Sequence, residues 1–119
     1  MTGYTAGESD RRPWGRWTVL EAGPHYAVKR IEVIPGGRLS LQRHQFRAEQ
    51  WVVVAGVGTV TLGRRTLEVK PGESVHIDVG EVHRMENRGT AEVVFIEVQT
   101  GERLEETDIE RLEDVYGRA

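Results

Sequence analysis

Four side chains in this sequence have the types and spacing of a metal site: Gln42, His44, Glu49 and His83. Gln42 and His44 are two positions apart, so on a β-strand both side chains point to the same side. Glu49 follows a short turn onto the next predicted strand, and His83 comes from a distant strand that a closed sheet would bring close. Two imidazoles, a carboxylate and an amide oxygen suit a borderline divalent ion such as Zn²⁺, Fe²⁺, Mn²⁺, Co²⁺ or Ni²⁺.

Each of these residues taken alone has an ordinary structural explanation. A single histidine on a strand is usually a packed or solvated residue, and Glu49 near Arg47 is compatible with an exposed ion pair of little energetic value. We interpret the other two histidines, His25 and His76, as structural or surface residues. Only the joint spacing of the four candidates points to a metal ion.

The segments that carry these residues are predicted to be short antiparallel β-strands. The chain has 14 glycines. They recur every ~8–12 residues, the spacing of turns in sandwiches and barrels. The runs between them are rich in Val, Ile, Thr and Trp, which favours strands. We interpret the chain as an all-β protein of about nine strands, forming a closed or nearly closed barrel.

The two ends are predicted to differ from the barrel. Residues 1–12 are polar and show no periodic pattern, which predicts a flexible N-terminal arm. Near residues 107–116, Thr107 and Glu110 have the spacing of a capping box, and apolar residues recur at helical intervals. Gly117 is placed to end the element. A short C-terminal helix is therefore expected.

Length and composition exclude several classes of protein. The 119 residues suffice for one domain, and 16 Lys+Arg against 19 Asp+Glu give a formal net charge of −3. This balance argues against nucleic acid or an anionic membrane as a partner. No apolar run approaches the ~20 residues of a membrane span, and no signal peptide is recognisable. Without cysteine there is no thiolate chemistry, and a cytoplasmic location is the default expectation.

Two segments resemble the motifs of the cupin superfamily. Residues 37–56, GRLSLQRHQFRAEQWVVVAG, are similar to the first motif, in which two ligands two apart precede a Glu and then a Gly. Residues 72–87, GESVHIDVGEVHRMEN, are similar to the second motif, with His83 as its ligand. The resemblance implies a single cupin domain over residues 13–119, folded as a jelly-roll β-barrel.

Further motifs resemble the C-terminal domain of type II phosphomannose isomerases. They are RPWG, VKR, LSLQ, RAE, WVVVAG, IEVQTGE and DIERLEDVYGR, which fall between residues 12 and 118. In that family the domain follows a nucleotidyltransferase that makes GDP-mannose, which we do not expect this chain to make alone. The resemblance implies a metal-dependent isomerase that converts mannose 6-phosphate to fructose 6-phosphate. One divalent ion is implied, zinc first, with cobalt, manganese, nickel and iron as alternatives.

That reaction implies roles for several side chains. It moves a proton between C1 and C2 of the sugar through an enediol, so it needs a stabilising cation, a base and a site for the phosphate. The metal ligands would be the four residues named at the outset. Glu49 and Arg84 are the candidate catalytic residues, although strand parity points Arg84 away from the metal. Lys29, Arg30 and Arg47 are the candidate substrate-binding residues, with a small sugar phosphate as the partner.

The chain departs from the family at three positions near the site. Gln45, Phe46 and Gln50 stand where the family typically has histidines. This departure leaves an alternative open, a non-catalytic metal-containing cupin that binds a sugar or sugar nucleotide as a sensor or accessory domain. A different cupin enzyme, such as an iron dioxygenase, is a third hypothesis, for which Gln42 would be an unusual ligand.

A homodimer is the expected oligomeric state. Small β-barrels with exposed strand edges bury them by pairing with a second copy. Strand parity places apolar side chains on the outer face at Leu39, Leu41, Val52 and Val54. A second copy of this chain would cover that face.

Overall fold

A computed structural model describes residues 3–116 of the chain as two antiparallel β-sheets packed against each other. The strands within that range are β1 (Ser9–Arg12), β2 (Gly15–Ala22), β3 (Tyr26–Val33), β4 (Leu41–Arg43), β5 (Ala48–Ala55), β6 (Gly58–Leu62), β7 (Arg65–Val69), β8 (Ser74–Ile77), β9 (His83–Glu86), β10 (Val93–Thr100) and β11 (Glu110–Glu113). The predicted all-β class is confirmed, with eleven strands in this range where about nine were expected.

The strand order explains how distant residues meet. The larger sheet has the order β1-β2-β3-β10-β5-β8, and the smaller sheet has the order β11-β4-β9-β6-β7. Some neighbours are consecutive strands, but others are far apart in sequence: β4 lies beside β9, and β5 lies beside β10. This arrangement places the strands that carry the candidate ligands around one end of the interior.

The core fills the space between the two sheets. Along β3 and β6, buried side chains alternate with partly or fully exposed ones, as expected when one face of a sheet meets a core. The rings of Trp51 and Phe95 are 4.8 Å apart near the centre of this core. On the same inner face the apolar positions give way to polar ones, including Lys29, Glu49 and Glu97, all of which are buried.

The predicted C-terminal helix is wrong. Residues 110–113 form β11, which pairs with β4, and residues 3–116 contain no α-helix. The apolar residues that suggested a helical face do not pack on the core, since Leu112 and Val115 are 45% and 53% exposed. A helix there would have nothing to bury, whereas a strand satisfies the unpaired backbone groups at the edge of β4. Gly117, the predicted end of the helix, lies outside the described residues.

The flexible arm predicted for residues 1–12 is also wrong over the part that is described. Ser9–Arg12 forms β1, which pairs in register with β2 at the edge of the larger sheet. Upstream of β1, the side chain of Tyr4 is buried, and the amide of Gly3 donates to the carbonyl of Leu104 at 2.7 Å. The pairing of β1 depends on backbone groups, and its first three side chains face solvent, so the sequence carries no apolar pattern there.

The outer apolar face contains fewer residues than parity predicted. β4 begins at Leu41, so the alternation does not extend back to Leu39, which is buried in the core. Leu41 and Val52 are partly buried and Val54 is exposed. The homodimer stays a prediction, to be measured by sedimentation. No helix in the described range is long and apolar enough to cross a membrane.

Candidate metal centre

Three of the four predicted ligands converge inside the barrel. His44 follows β4, Glu49 lies on β5 and His83 lies on β9, and one potential ligand atom from each lies within 4.8 Å of the others. All three side chains are buried, and the two imidazole rings are 5.0 Å apart. Residues separated by 39 positions in the chain, His44 and His83, thus face one another because β4 pairs with β9.

Backbone carbonyls orient both imidazoles. The Nδ1 of His44 lies 2.6 Å from the carbonyl oxygen of Asp108, and the Nδ1 of His83 lies 2.8 Å from that of Glu81. A carbonyl can only accept, so Nδ1 carries the proton in each neutral ring, and Nε2 keeps its lone pair. This outer-shell pattern is the usual one for histidines that ligate a metal through Nε2.

The carboxylate of Glu49 is held between two donors. Arg47 Nε donates to Oε2 at 2.7 Å, and Trp51 Nε1 donates to Oε1 at 2.8 Å. Burial alone would raise the pKa of Glu49, but the charges of Arg47 and the two histidines outweigh it and lower the pKa to about 2. Glu49 is therefore an anion at neutral pH, as a metal ligand must be.

The two imidazole nitrogens complete a donor set that fits a divalent ion. Burial, reinforced by the positive charge of Arg47, lowers the pKa of His44 to about 4 despite the attraction of Glu49, so this ring is neutral at pH 7. His83 Nε2 is buried and has no hydrogen-bond partner among the described residues, 3.9 Å from Glu49 Oε1. A cation would satisfy this nitrogen, and two imidazoles with one carboxylate match the ligands of Zn²⁺ and similar ions.

Gln42 lies next to the cluster without a direct contact to its three members. It is opposite His83 in the register of β4 and β9, and it is partly buried. Its amide Nε2 donates to the carbonyl and the hydroxyl of Ser40, both at 3.2 Å. The amide nitrogen of Gln42 is thus hydrogen-bonded to Ser40. A role for its amide oxygen as a fourth metal ligand stays a prediction.

The structure places two of the four predicted cationic residues near the cluster and the other two away from it. Arg47 contacts Glu49 directly, and Lys29 is buried in the adjacent cavity. Arg30, by contrast, is exposed on the other face of β3, with Glu32 at 3.9 Å. Arg84 points away from His83, because neighbouring residues of a strand face opposite sides, and its guanidinium pairs with Glu113 at 2.7 Å. Arg30 and Arg84 are therefore not part of this cluster.

A small cavity lies beside the cluster; it is lined by Gln42 and by Arg47, which donates to Glu49, but by none of the three cluster residues. Its volume is about 80 Å³. Tryptophan rings and charged side chains line it, among them Trp17, Lys29, Arg47, Glu97 and Glu106. A larger cleft of about 440 Å³ lies on the outside, and of the three cluster residues only His44 reaches it. Through the Arg47–Glu49 pair, the charged lining of the small cavity adjoins the cluster.

The segment that separates the cleft from the cavity consists of residues 103–109, which we term the mouth segment. Ile109 lines both spaces, whereas Glu105 faces the cleft and Glu106 faces the cavity. The carboxylate of Asp108 accepts from the backbone amides of Gln45 and Phe46 at 2.8 and 2.9 Å. The mouth segment thus closes the end of the barrel at which the cluster lies.

Sequence reasoning missed several residues of this cavity. Glu97 could have been found, because Phe95, Glu97 and Gln99 alternate on β10 and must share the inner face. Tyr4 and Glu106 lie outside the strands, so no periodicity points to them. Their position depends on how the two ends of the chain pack together.

Replacing Glu97 by glutamine should raise the free energy of unfolding, relative to the wild type, more at pH 8 than at pH 5. Burial and the negative charge of Glu49 raise the pKa of Glu97 to about 7. A carboxyl with a raised folded pKa contributes stability that is complete below its unfolded pKa and is lost as pH rises through 7. Glutamine resembles the protonated form, so the variant should gain about 2 kcal/mol relative to the wild type between pH 5 and pH 8. Urea denaturation at both pH values measures this.

The control for Glu97 is the exposed Glu68 on β7. Glu68→Gln should change the free energy of unfolding equally at both pH values. An identical effect of Glu97→Gln at pH 5 and pH 8 would contradict the raised pKa.

Comparison with known proteins identifies the family. Residues 4–114 match the family model described as mannose-6-phosphate isomerase C-terminal. The chain is 49% identical over 107 residues to the alginate biosynthesis protein AlgA of Pseudomonas aeruginosa, covering 90% of this chain and 22% of that protein. It is 48% identical over 107 residues to the mannose-1-phosphate guanylyltransferase ManC of Salmonella typhimurium, with the same coverage of 90% and 22%.

The chain thus spans about a fifth of the length of the curated relatives that it matches. Among solved structures, a double-stranded β-helix protein of Klebsiella pneumoniae superposes with a TM-score of 0.72 at 19% identity, covering 95% of this chain and 91% of that one. This likeness confirms the predicted cupin-type fold. The match over nearly the whole described range shows that the chain belongs to the family of mannose-6-phosphate isomerase C-terminal domains.

Proposed function

We propose that this domain is a metal-dependent sugar-phosphate isomerase that interconverts mannose 6-phosphate and fructose 6-phosphate. The observation that carries the proposal is the buried cluster of His44, Glu49 and His83 in a chain of this family. Nε2 of His83 has no hydrogen-bond partner in residues 3–116, and Nε2 of His44 lies 3.3 Å from Arg47 Nη2, which donates to it. The charged cavity beside the cluster supports it, because a sugar phosphate needs both cations and polar groups.

The proposed cofactor is one divalent ion, zinc first, with cobalt, manganese, nickel and iron as alternatives. His44, Glu49 and His83 would hold it, with Gln42 as the proposed fourth ligand. When bound, the cation polarises the substrate oxygens and offsets the negative charge that develops on them.

The remaining steps belong to side chains of the cavity. Lys29 and Arg47 are the proposed substrate-binding cations, since both are buried and both line the cavity. We assign the proton transfer between C1 and C2 to Glu97, which lines the same cavity and has its pKa raised to about 7. Its carboxylate takes the proton from C2 of the aldose and returns it to C1. The proposal gives Arg30 and Arg84 no contact with the substrate.

One observation favours the alternative, a non-catalytic metal-containing cupin that binds a sugar or sugar nucleotide. The positions where the family typically has histidines carry no titratable group here. Phe46 is partly exposed beneath the guanidinium of Arg103, and Gln50 bonds to the exposed His76. A sensor would need the cluster and the cavity but no proton carrier.

Turnover measurements separate the two functions. The protein, loaded in turn with Zn²⁺, Co²⁺ or Mn²⁺, is assayed for fructose 6-phosphate formed from mannose 6-phosphate, and binding of mannose 6-phosphate is measured by calorimetry. We expect turnover in the wild type, its loss in Glu49→Ala, and its retention in Glu110→Ala, which removes an exposed carboxylate paired with Arg43. Binding of mannose 6-phosphate without turnover under all three metals would contradict the isomerase function and favour the sensor.

A further inference from the structure

The carboxylate of Glu106 occupies a cage of donors at one end of the cavity. Lys29 Nζ lies 2.8 Å from its Oε2, the hydroxyl of Tyr4 donates to the same oxygen, and Arg12 Nη2 lies 3.7 Å from Oε1. Burial alone would raise the pKa of Glu106, but the charge and the hydrogen bond of Lys29 outweigh it and lower the pKa to about 2. An anion is thus bound here by a lysine, an arginine and a phenol from three separate segments.

The cage joins the interior to the surface. Lys29 is only 3% exposed, and its ammonium lies 4.2 Å from the centroid of the Tyr4 ring and 4.4 Å from that of the Trp17 ring. A buried ammonium needs an anionic or aromatic partner. Without the carboxylate of Glu106, Lys29 and Arg12 would face the cavity as an anion-binding site.

One further donor at the cavity has no partner. Trp17 lines the cavity, is buried, and its indole Nε1 makes no hydrogen bond with any described residue. Buried donors are nearly always satisfied, so this indole N–H is a donor that a ligand in the cavity can use. A ligand with several acceptor oxygens would satisfy it.

The backbone of the mouth segment is anchored on both sides of Glu106. Leu104 is fully buried, and Asp108 accepts from two backbone amides, whereas the Glu106 side chain between them is 38% exposed. The side chain of Glu106 can therefore swing out towards solvent while the backbone stays in place. No opening of the barrel is required.

We propose that this cage is the subsite for the phosphate group of the sugar phosphate, and that Glu106 fills it in the ligand-free protein. A phosphate carries more negative charge than a carboxylate and has three acceptor oxygens, so it matches Lys29, Arg12 and Tyr4 better than Glu106 does. Binding of the ligand displaces the Glu106 side chain. The sugar part of the ligand rests on the proposed function, but the phosphate subsite does not depend on catalysis.

Calorimetry with inorganic phosphate tests the displacement. Glu106→Gln removes the competing charge, so phosphate should bind about tenfold more tightly than to the wild type. Glu105→Gln is the matched control, because the Glu105 carboxylate faces the cleft, where it lies 3.8 Å from Arg103 and accepts from the hydroxyl of Thr107 at 3.2 Å. The phosphate affinity of this variant should equal that of the wild type. The double variant Lys29→Met/Glu106→Gln, which leaves no unpaired charge, should lose phosphate binding.

A measurement on the wild type keeps the proposal testable even if Glu106→Gln does not fold. In a titration with inorganic phosphate followed by NMR, the indole N–H signal of Trp17 should shift. The indole of Trp51, which donates to Glu49 at the metal end, should shift less. A Trp17 signal that stays fixed, or a folded Glu106→Gln that binds phosphate no more tightly than Glu105→Gln, would overturn the proposal.

These results are independent of isomerase turnover. Tighter phosphate binding to Glu106→Gln without turnover in any variant would support the subsite and contradict the isomerase. Turnover in the wild type with a phosphate affinity that does not respond to Glu106→Gln would support the isomerase and contradict the subsite.

Discussion

Replacing His83 by alanine should weaken divalent metal binding by more than the ~10–100-fold that loss of an outer-shell partner causes. The reason is the geometry of the ring. Its Nδ1 is already fixed by the carbonyl of Glu81, and its Nε2 is buried without a hydrogen-bond partner in residues 3–116. The alanine variant offers no replacement donor. Competition with a chelator of known zinc affinity measures the loss, and turnover of mannose 6-phosphate should fall with it.

The matched control is the exposed histidine of the larger sheet. His76 bonds to Gln50 and Asp78 on the surface of β8, away from the cluster. His76→Ala should bind metal as the wild type does. Because a cavity at His83 could also perturb folding, His83→Leu, which fills the space without offering a donor atom, serves as the second variant, and its circular dichroism must match that of the wild type. If the folded second variant and the wild type bind the metal with equal affinity, His83 is not a ligand.

The convergence of the ligands was predictable because strand geometry is periodic. Parity placed Gln42 and His44 on one side of their segment, and the motif spacing placed Glu49 on the following strand. The structure adds the reason that His83 joins them, since the single paired position between β4 and β9 is Gln42 with His83. The same parity correctly predicted that the Arg84 side chain points away from the cluster.

The ends of the chain were not predictable because their structure depends on tertiary contacts. The helical spacing near Ile109 and Leu112 is outweighed by backbone pairing of β11 with β4. Likewise, a polar segment without pattern becomes an edge strand because β2 offers it an unpaired partner. Because both ends were predicted wrongly, the sequence analysis did not identify Tyr4 and Glu106, which form one side of the cavity. Local patterns thus identify the ligands but not what closes over them.

Replacing Arg47 by methionine should destabilise the metal-free protein by about 3–5 kcal/mol, because removing one partner of a buried ion pair leaves the other charge uncompensated. Arg47 is 6% exposed and donates to Glu49, to Tyr4 and to the carbonyl of Glu105. At this chain length the loss corresponds to a Tm lower by roughly 10–20 °C. Calorimetric melting of chelator-treated protein measures it.

A divalent ion should reverse much of this loss, which distinguishes a charge effect from a packing effect. The ion would sit beside the Glu49 carboxylate and supply the positive charge that Arg47 no longer provides, and binding to the folded state alone stabilises it. The double variant Arg47→Met/Glu49→Gln should likewise recover stability without metal. Arg43→Met, which breaks an exposed pair with Glu110, should cost at most about 1 kcal/mol and should gain from metal only as much as the wild type gains. If Zn²⁺ raises the Tm of Arg47→Met no more than that of Arg43→Met, then Arg47 stabilises the fold by packing and not by neutralising a metal ligand.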